Sequence, residues 1–291
     1  MNILKGRLSM KKVFVFWFVL CACFAALPSF AGESLFDKGE QFWRKTTADE
    51  MEELIKYDAN IYEKGPNDET TLMMAAKYDN LGLVNTLLKY GVDVRAQDKN
   101  GVTALMMAAA NAKNAKIIET LIEHGAEITT QDKNGFTAIF YAAQKNPNME
   151  TMYMLILYGT DVEIKDHKGS TPLMIAAESN PNFGIVDMLI ESGSYMCSAD
   201  NEGKTAFVRA LEKGSHLDKI DTIWCTRWFF ASKTNKGKTP LVITLIDNPK
   251  PKNVKDFISQ VFENDAKNDG SLRVLDMTLS IKDNPNIGLM I

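Results

Sequence analysis

Apolar and polar positions come in blocks along this chain, and the blocks return at a fixed distance. An apolar block runs Ala104-Leu-Met-Met-Ala-Ala109, then Ala138-Ile-Phe-Tyr-Ala-Ala143, then Pro172-Leu-Met-Ile-Ala-Ala177. Each follows a polar turn: Asp98-Lys-Asn-Gly101, Asp132-Lys-Asn-Gly135 and Asp166-His-Lys-Gly169. A second kind of apolar block closes on glycine, as in Leu87-Leu-Lys-Tyr-Gly91, Leu121-Ile-Glu-His-Gly125, Leu155-Ile-Leu-Tyr-Gly159 and Leu189-Ile-Glu-Ser-Gly193. Gly101, Gly135, Gly169, Gly203 and Gly237 fall 34 residues apart, each with a threonine two positions on (Thr103, Thr137, Thr171, Thr205, Thr239). Such a period marks an array whose units bury their apolar faces only against their neighbours. Each unit is predicted to be a turn, a short helix, a loop and a second helix, with the closing glycine in the left-handed conformation that ends a helix.

These units resemble the ankyrin repeat. The resemblance rests on the Asp-x-x-Gly-x-Thr turns, the Ala-Ala pairs and the Leu-Ile/Leu-x-x-Gly ends, at matched offsets in four units, and it covers about residues 45–289. It implies an all-α ankyrin-repeat solenoid of helix-loop-helix units with hairpin-like turns between them. The tetratricopeptide repeat also has a period of about 34, against about 33 for ankyrin. It lacks the Asp-x-x-Gly turn and the Thr-Pro-Leu helix start, whereas Lys99-Asn-Gly101 and Lys133-Asn-Gly135 are strong tight-turn signals. The first unit keeps the shorter spacing, Thr70 to Thr103. The extra residue of later units falls between the helices, since Ala76 to Gly91 is 15 positions and Ala109 to Gly125 is 16. A loop insertion leaves the stack unchanged.

Six units follow: 68–100, 101–134, 135–168, 169–202, 203–236 and 237–269. The fifth has Ala210-Leu211 in place of Ala-Ala and carries Trp224, Trp228, Phe229 and Phe230; the sixth has a Pro249-Lys-Pro251 loop and no terminal glycine. Residues 32–67 are expected to form an N-terminal capping half-repeat. There Leu54-Ile-Lys-Tyr-Asp58 echoes Leu87-Leu-Lys-Tyr-Gly91, and Leu35, Phe36, Phe42 and Trp43 supply a preceding helix. Residues 270–291 are expected to close the array as a C-terminal half-repeat, because Asp283-Asn-Pro-Asn286 mirrors Ser179-Asn-Pro-Asn182.

Residues 1–31 have a different character. Lys5, Arg7, Lys11 and Lys12 precede the 15-residue apolar run Val13 to Leu27, and Ser29-Phe30-Ala31 offers a cleavage site. This is the pattern of a secretory signal peptide, from which a periplasmic or secreted protein of a Gram-negative-type bacterium is expected. Two readings stay open beside it: a retained anchor, for which the run is short of the roughly 20 residues a span needs, and a lipoprotein acylated at Cys23. The start at Met1 or at Met10 is open too. Cleavage after Ala31 leaves 29 Lys and Arg against 37 Asp and Glu, an acidic balance that argues against nucleic acid as a partner. Cys197 and Cys225 remain in the mature chain on adjacent units, either as a disulfide or as two free thiols.

Catalytic and cofactor patterns are missing. His124, His167 and His216 sit in different units with no metal-ligand or triad spacing, and no phosphate loop, nucleophile elbow or His-Glu-x-x-His helix occurs. A non-enzymatic protein without cofactors is expected. Where the ankyrin pattern has a histidine after Thr-Pro-Leu, this chain has Met73, Met106, Phe140, Met174, Val208 and Val242. Apolar packing between first helices is expected to replace the bonds that this histidine makes between units.

By resemblance, partners are met by the turns and by the exposed side of the first helices. Met74, Met107, Tyr141 and Ile175 are expected to face that groove, and Arg95, Lys99, Lys133 and Lys165 to form a basic strip along the turns, suited to an acidic protein. The expected function is noncovalent binding of a partner protein by a monomer. A secreted effector or toxin-neutralising protein with a specific target is the second class. An enzyme with a pocket around Trp224, Cys225, Arg227 and Trp228 is the third.

Overall fold

A computed structural model describes residues 34–196 and 198–213. A 3-10 turn, Leu35–Lys38, leads into eleven helices: α1 Gly39–Lys45, α2 Ala48–Lys56, α3 Thr71–Lys77, α4 Leu81–Lys89, α5 Ala104–Asn111, α6 Lys116–Glu123, α7 Ala138–Lys145, α8 Met149–Leu157, α9 Pro172–Ser179, α10 Gly184–Glu191 and α11 Ala206–Lys213. No strand forms among the described residues; an isolated bridge joins Lys64 to Thr70. The architecture is an all-α solenoid of stacked helix pairs. Residues 32–67, expected as a half-repeat, carry both members of a pair, α1 and α2.

Each first helix starts at a threonine for a local reason. Thr70, Thr103 and Thr171 accept the N–H of Met73, Met106 and Met174 on their side-chain oxygens. In return their own N–H groups donate to the methionine sulfurs at 3.3, 3.4 and 3.5 Å. This is a capping box with a thioether where Glu or Gln is usual. At Thr137 the Phe140 N–H donates to the threonine's backbone carbonyl, so no side-chain cap forms and the buried Thr137 hydroxyl lacks a partner. Phe140 instead stacks on Phe136 with ring centroids 4.8 Å apart.

The turns repeat one geometry. Asp98 Oδ1 accepts from the N–H of Asn100 and Val102, and Asp132, Asp166 and Asp200 do the same in their own turns. One backbone bond then links each turn to the preceding one, as where Lys133 N–H donates to Asn100 O and His167 N–H to Asn134 O. Gly135 shows why glycine is required at the tip: φ is +83°, and a Cβ there would sit 2.8 Å from the His167 nitrogen.

Stacking is asymmetric. The alanine pairs Ala75-Ala76, Ala108-Ala109, Ala142-Ala143 and Ala176-Ala177 are all buried, and these small side chains let α3, α5, α7, α9 and α11 approach closely. The second helices, α2, α4, α6, α8 and α10, pack less tightly on one another, so the first-helix layer is the inner side of the curve. Met73, Met106, Phe140 and Met174 are at most 1 % exposed between first helices, in the slot expected to hold apolar packing. Apolar contact is only part of the tie between units, however. At the far end of the first helices, loop asparagines reach back to the previous unit. Asn80 Nδ2 donates to the Trp43 and Thr46 carbonyls, Asn146 Nδ2 to those of Ala109 and Ala112, and Asn180 Nδ2 to those of Ala143 and Asn146, at 2.9–3.1 Å. The added loop residue lies where expected: the α3–α4 loop is 78–80 and the α5–α6 loop is 112–115.

Candidate partner-binding surfaces

The position four residues after each capping threonine forms a row along the inner layer: Met74, Met107, Tyr141, Ile175 and Arg209. Met74, Met107 and Tyr141 are half-buried, with part of each side chain open to the inner side. Ile175 departs from expectation. It is 7 % exposed and belongs to the core rather than to an open surface. Arg209 draws an ion-pair cluster over the fourth unit, with its guanidinium 2.6 Å from Asp200 Oδ2, 3.2 Å from Glu178 Oε2 and 2.8 Å from Ser170 Oγ. Lys213 adds a contact to Glu178 at 3.5 Å.

Tyr141 uses its polar end in the same way. Its hydroxyl donates to Asp132 Oδ2 at 2.9 Å, and burial, followed by that bond and the charge on Asp132, pushes the phenol well above the usual tyrosine range. The inner row therefore changes along the array. It begins with thioethers at Met74 and Met107, passes through a phenol tied to Asp132, and ends in the Arg209 cluster.

The basic residues are spread over two places. Lys99 and Lys133 occupy equivalent turn tips and both are exposed; the Lys99 ammonium donates to the Pro66 carbonyl at 2.8 Å. Lys165 is exposed two positions before the tip His167. Arg95 lies elsewhere: its guanidinium donates to the Gly125 carbonyl at 3.0 Å and pairs with Glu127 at 3.4 Å, beside the end of α6. It ties two units together on the second-helix side and is not part of a strip with the tip lysines. His124 also sits at the end of α6, with Nδ1 2.8 Å from Thr120 O. Among the described residues no group of His, Cys, Asp and Glu is arranged to hold a metal ion. No described helix is long and apolar enough to cross a membrane. The signal segment, Cys23, Cys197, Cys225, His216, the sixth unit and the C-terminal half-repeat lie outside the described residues, as does the candidate pocket around Trp224.

The outer layer holds a surface that the sequence reading missed. On α8, Met149, Tyr153 and Leu157 are 42 %, 53 % and 61 % exposed. Spaced by four, they form one stripe. A signal was present in the repeat alignment. The places of Tyr153 and Leu157 are taken by Glu119 and Glu123 on α6 and by Asp187 and Glu191 on α10.

A family model described as "Ankyrin repeats (3 copies)" matches residues 44–132 and 139–225, which together make up more than half of the chain. The chain belongs to the ankyrin-repeat family. A second model, "Ankyrin repeats (many copies)", matches residues 109–156, across the second and third units of this array. No curated protein matches the chain. Ankyrin repeats are in general protein–protein interaction modules, and typically non-catalytic ones.

Proposed function

We propose that this ankyrin-repeat protein is exported by its N-terminal signal segment and binds one partner protein through the inner layer, without chemistry. The observation that carries the reading is the row Met74, Met107 and Tyr141, three half-open apolar side chains at one register on consecutive first helices. Thioethers adapt to differently shaped partners at little conformational cost. The turn tips Lys99 and Lys133, on the same units, add charge at the rim for an acidic partner. Arg95 and Ile175 fall outside this surface, since one is tied to the second-helix side and the other is covered.

The test pairs Met107→Lys with Tyr141→Arg. Arginine at 141 meets Asp132 as Arg209 meets Asp200 at the same register, so the fold is expected to persist. Capture from the envelope fraction, repeated with purified components, is expected to return one protein with the parent and none with the double variant. Unchanged capture would remove the inner layer as the binding surface. Export is checked separately: the mature protein is expected to begin at Gly32.

A further inference from the structure

Outer helix faces of this array are charged or polar on the units flanking the third. On α6 the outward positions are Glu119 and Glu123, and on α10 they are Asp187 and Glu191. On α8 the same two positions are Tyr153 and Leu157, both more than half exposed, and Met149 extends the stripe by one turn. Scattered apolar side chains on a surface need no explanation, but a contiguous stripe along one helix marks a place of association.

The stripe is continued by a gap in the neighbouring unit. Gly184 opens α10, and a Cβ there would lie 2.9 Å from the Met149 sulfur, so the absence of a side chain lets Met149 lie across to the next pair. On the other flank, the acids of α6 reach α8. Burial is the first cause raising the Tyr158 phenol, and Glu119 and Glu123 add to it, against the lowering effect of Lys116. Glu119 is paired with Lys116 at 2.5 Å, which leaves Glu123 as the exposed acid on that side. Asp187 and Glu191 are exposed on the opposite side, and Glu150 is exposed on α8 itself.

An apolar stripe between acidic borders selects among occupants. A second copy in a two-fold arrangement would bring acids onto acids, and an anionic lipid surface would be repelled by both borders. We propose that the outer face of α8 is a second docking surface, which takes an amphipathic helix of a partner protein with an apolar stripe flanked by lysines or arginines. Tyr153 and Leu157 fill the apolar seam, and Glu123, Asp187 and Glu191 meet the basic flanks. This surface is on the opposite layer from the inner row, so the two are separable by mutation.

The experiment uses the full chain and two synthetic helical peptides with the same leucine stripe, one flanked by lysines and one by glutamates, read by fluorescence anisotropy. The lysine-flanked peptide is expected to bind, and the glutamate-flanked one is not. Binding is expected to weaken several-fold between low and high salt. The variant Tyr153→Glu with Leu157→Glu copies the residues that α6 carries in those places, so it is expected to fold, and to lose about tenfold or more in affinity. Met107→Lys with Tyr141→Arg is expected to leave peptide binding unchanged while abolishing capture through the inner layer. Four results would overturn the proposal: no peptide binding, equal binding of both peptides, self-association that the α8 variant abolishes, or binding to anionic vesicles that the same variant abolishes.

Discussion

The inner row of first helices and the outer stripe of α8 are both apolar, yet they differ in what the fold asks of them. Along the inner row, open surface is small and side chains double as parts of the stack: Ile175 is 7 % exposed, Tyr141 holds Asp132, and Arg209 holds Asp200. On α8, Tyr153 and Leu157 are more than half exposed and have equivalents on α6 and α10 that are acids. The stack tolerates acids at those places, so packing does not explain the apolar choice. The difference shows that being apolar and unpaired on a repeat surface says less than being apolar where the neighbouring units are charged.

Stability measurements test that contrast. The largest effect is expected for Ile175→Glu, which places a charge in a buried slot and is expected to cost several kcal/mol, enough to unfold the fourth unit and its neighbours in urea. Arg209→Ala comes next. It leaves the buried Asp200 carboxylate without its cation, and a loss of about 2–3 kcal/mol is expected from the urea midpoint. A capping comparison follows, at about 1 kcal/mol. Thr171→Val removes a formed cap, whereas Thr137→Val removes a hydroxyl that has no partner, and is expected to be neutral or slightly stabilising in thermal melts. Tyr153→Glu is expected to be smallest, within about 0.5 kcal/mol of the parent. If Tyr153→Glu proved as costly as Arg209→Ala, the outer stripe would be part of the packing and its reading as a surface would fall.

Much of the fold was legible because its determinants are local and recur. Asp98 and Thr103 accept backbone N–H groups, and Gly101 donates its own to Asp98 O, all within a few residues, so the pattern that repeats in sequence is the one that repeats in space. The asparagine ties were harder to see. Asn146 and Asn180 stand in Asn-Pro-Asn loops that could be noticed as a repeat, but their carbonyl partners are 34 to 38 residues away. Their effect appears only once units are stacked. The α8 stripe is legible once the outward positions of α6, α8 and α10 are aligned, because Tyr153 and Leu157 stand where the neighbouring units carry acids.

Ile175 and Arg95 show where register stops being informative. Register places Ile175 on the inner row, but whether a position on that row is open depends on the packing around it, and Ile175 is buried in the core. Arg95 belongs to a turn by sequence, yet its long side chain reaches Gly125 and Glu127. The repeat period, the helix pairs, the caps and the membership of the ankyrin family were written in the chain, because short-range hydrogen bonds and apolar spacing depend on neighbours in sequence. Which surface residues are covered, which cations are already paired, and which helix face is left open emerged only from the assembled stack. Those properties depend on contacts between units, and the side chains that make them are a full repeat apart.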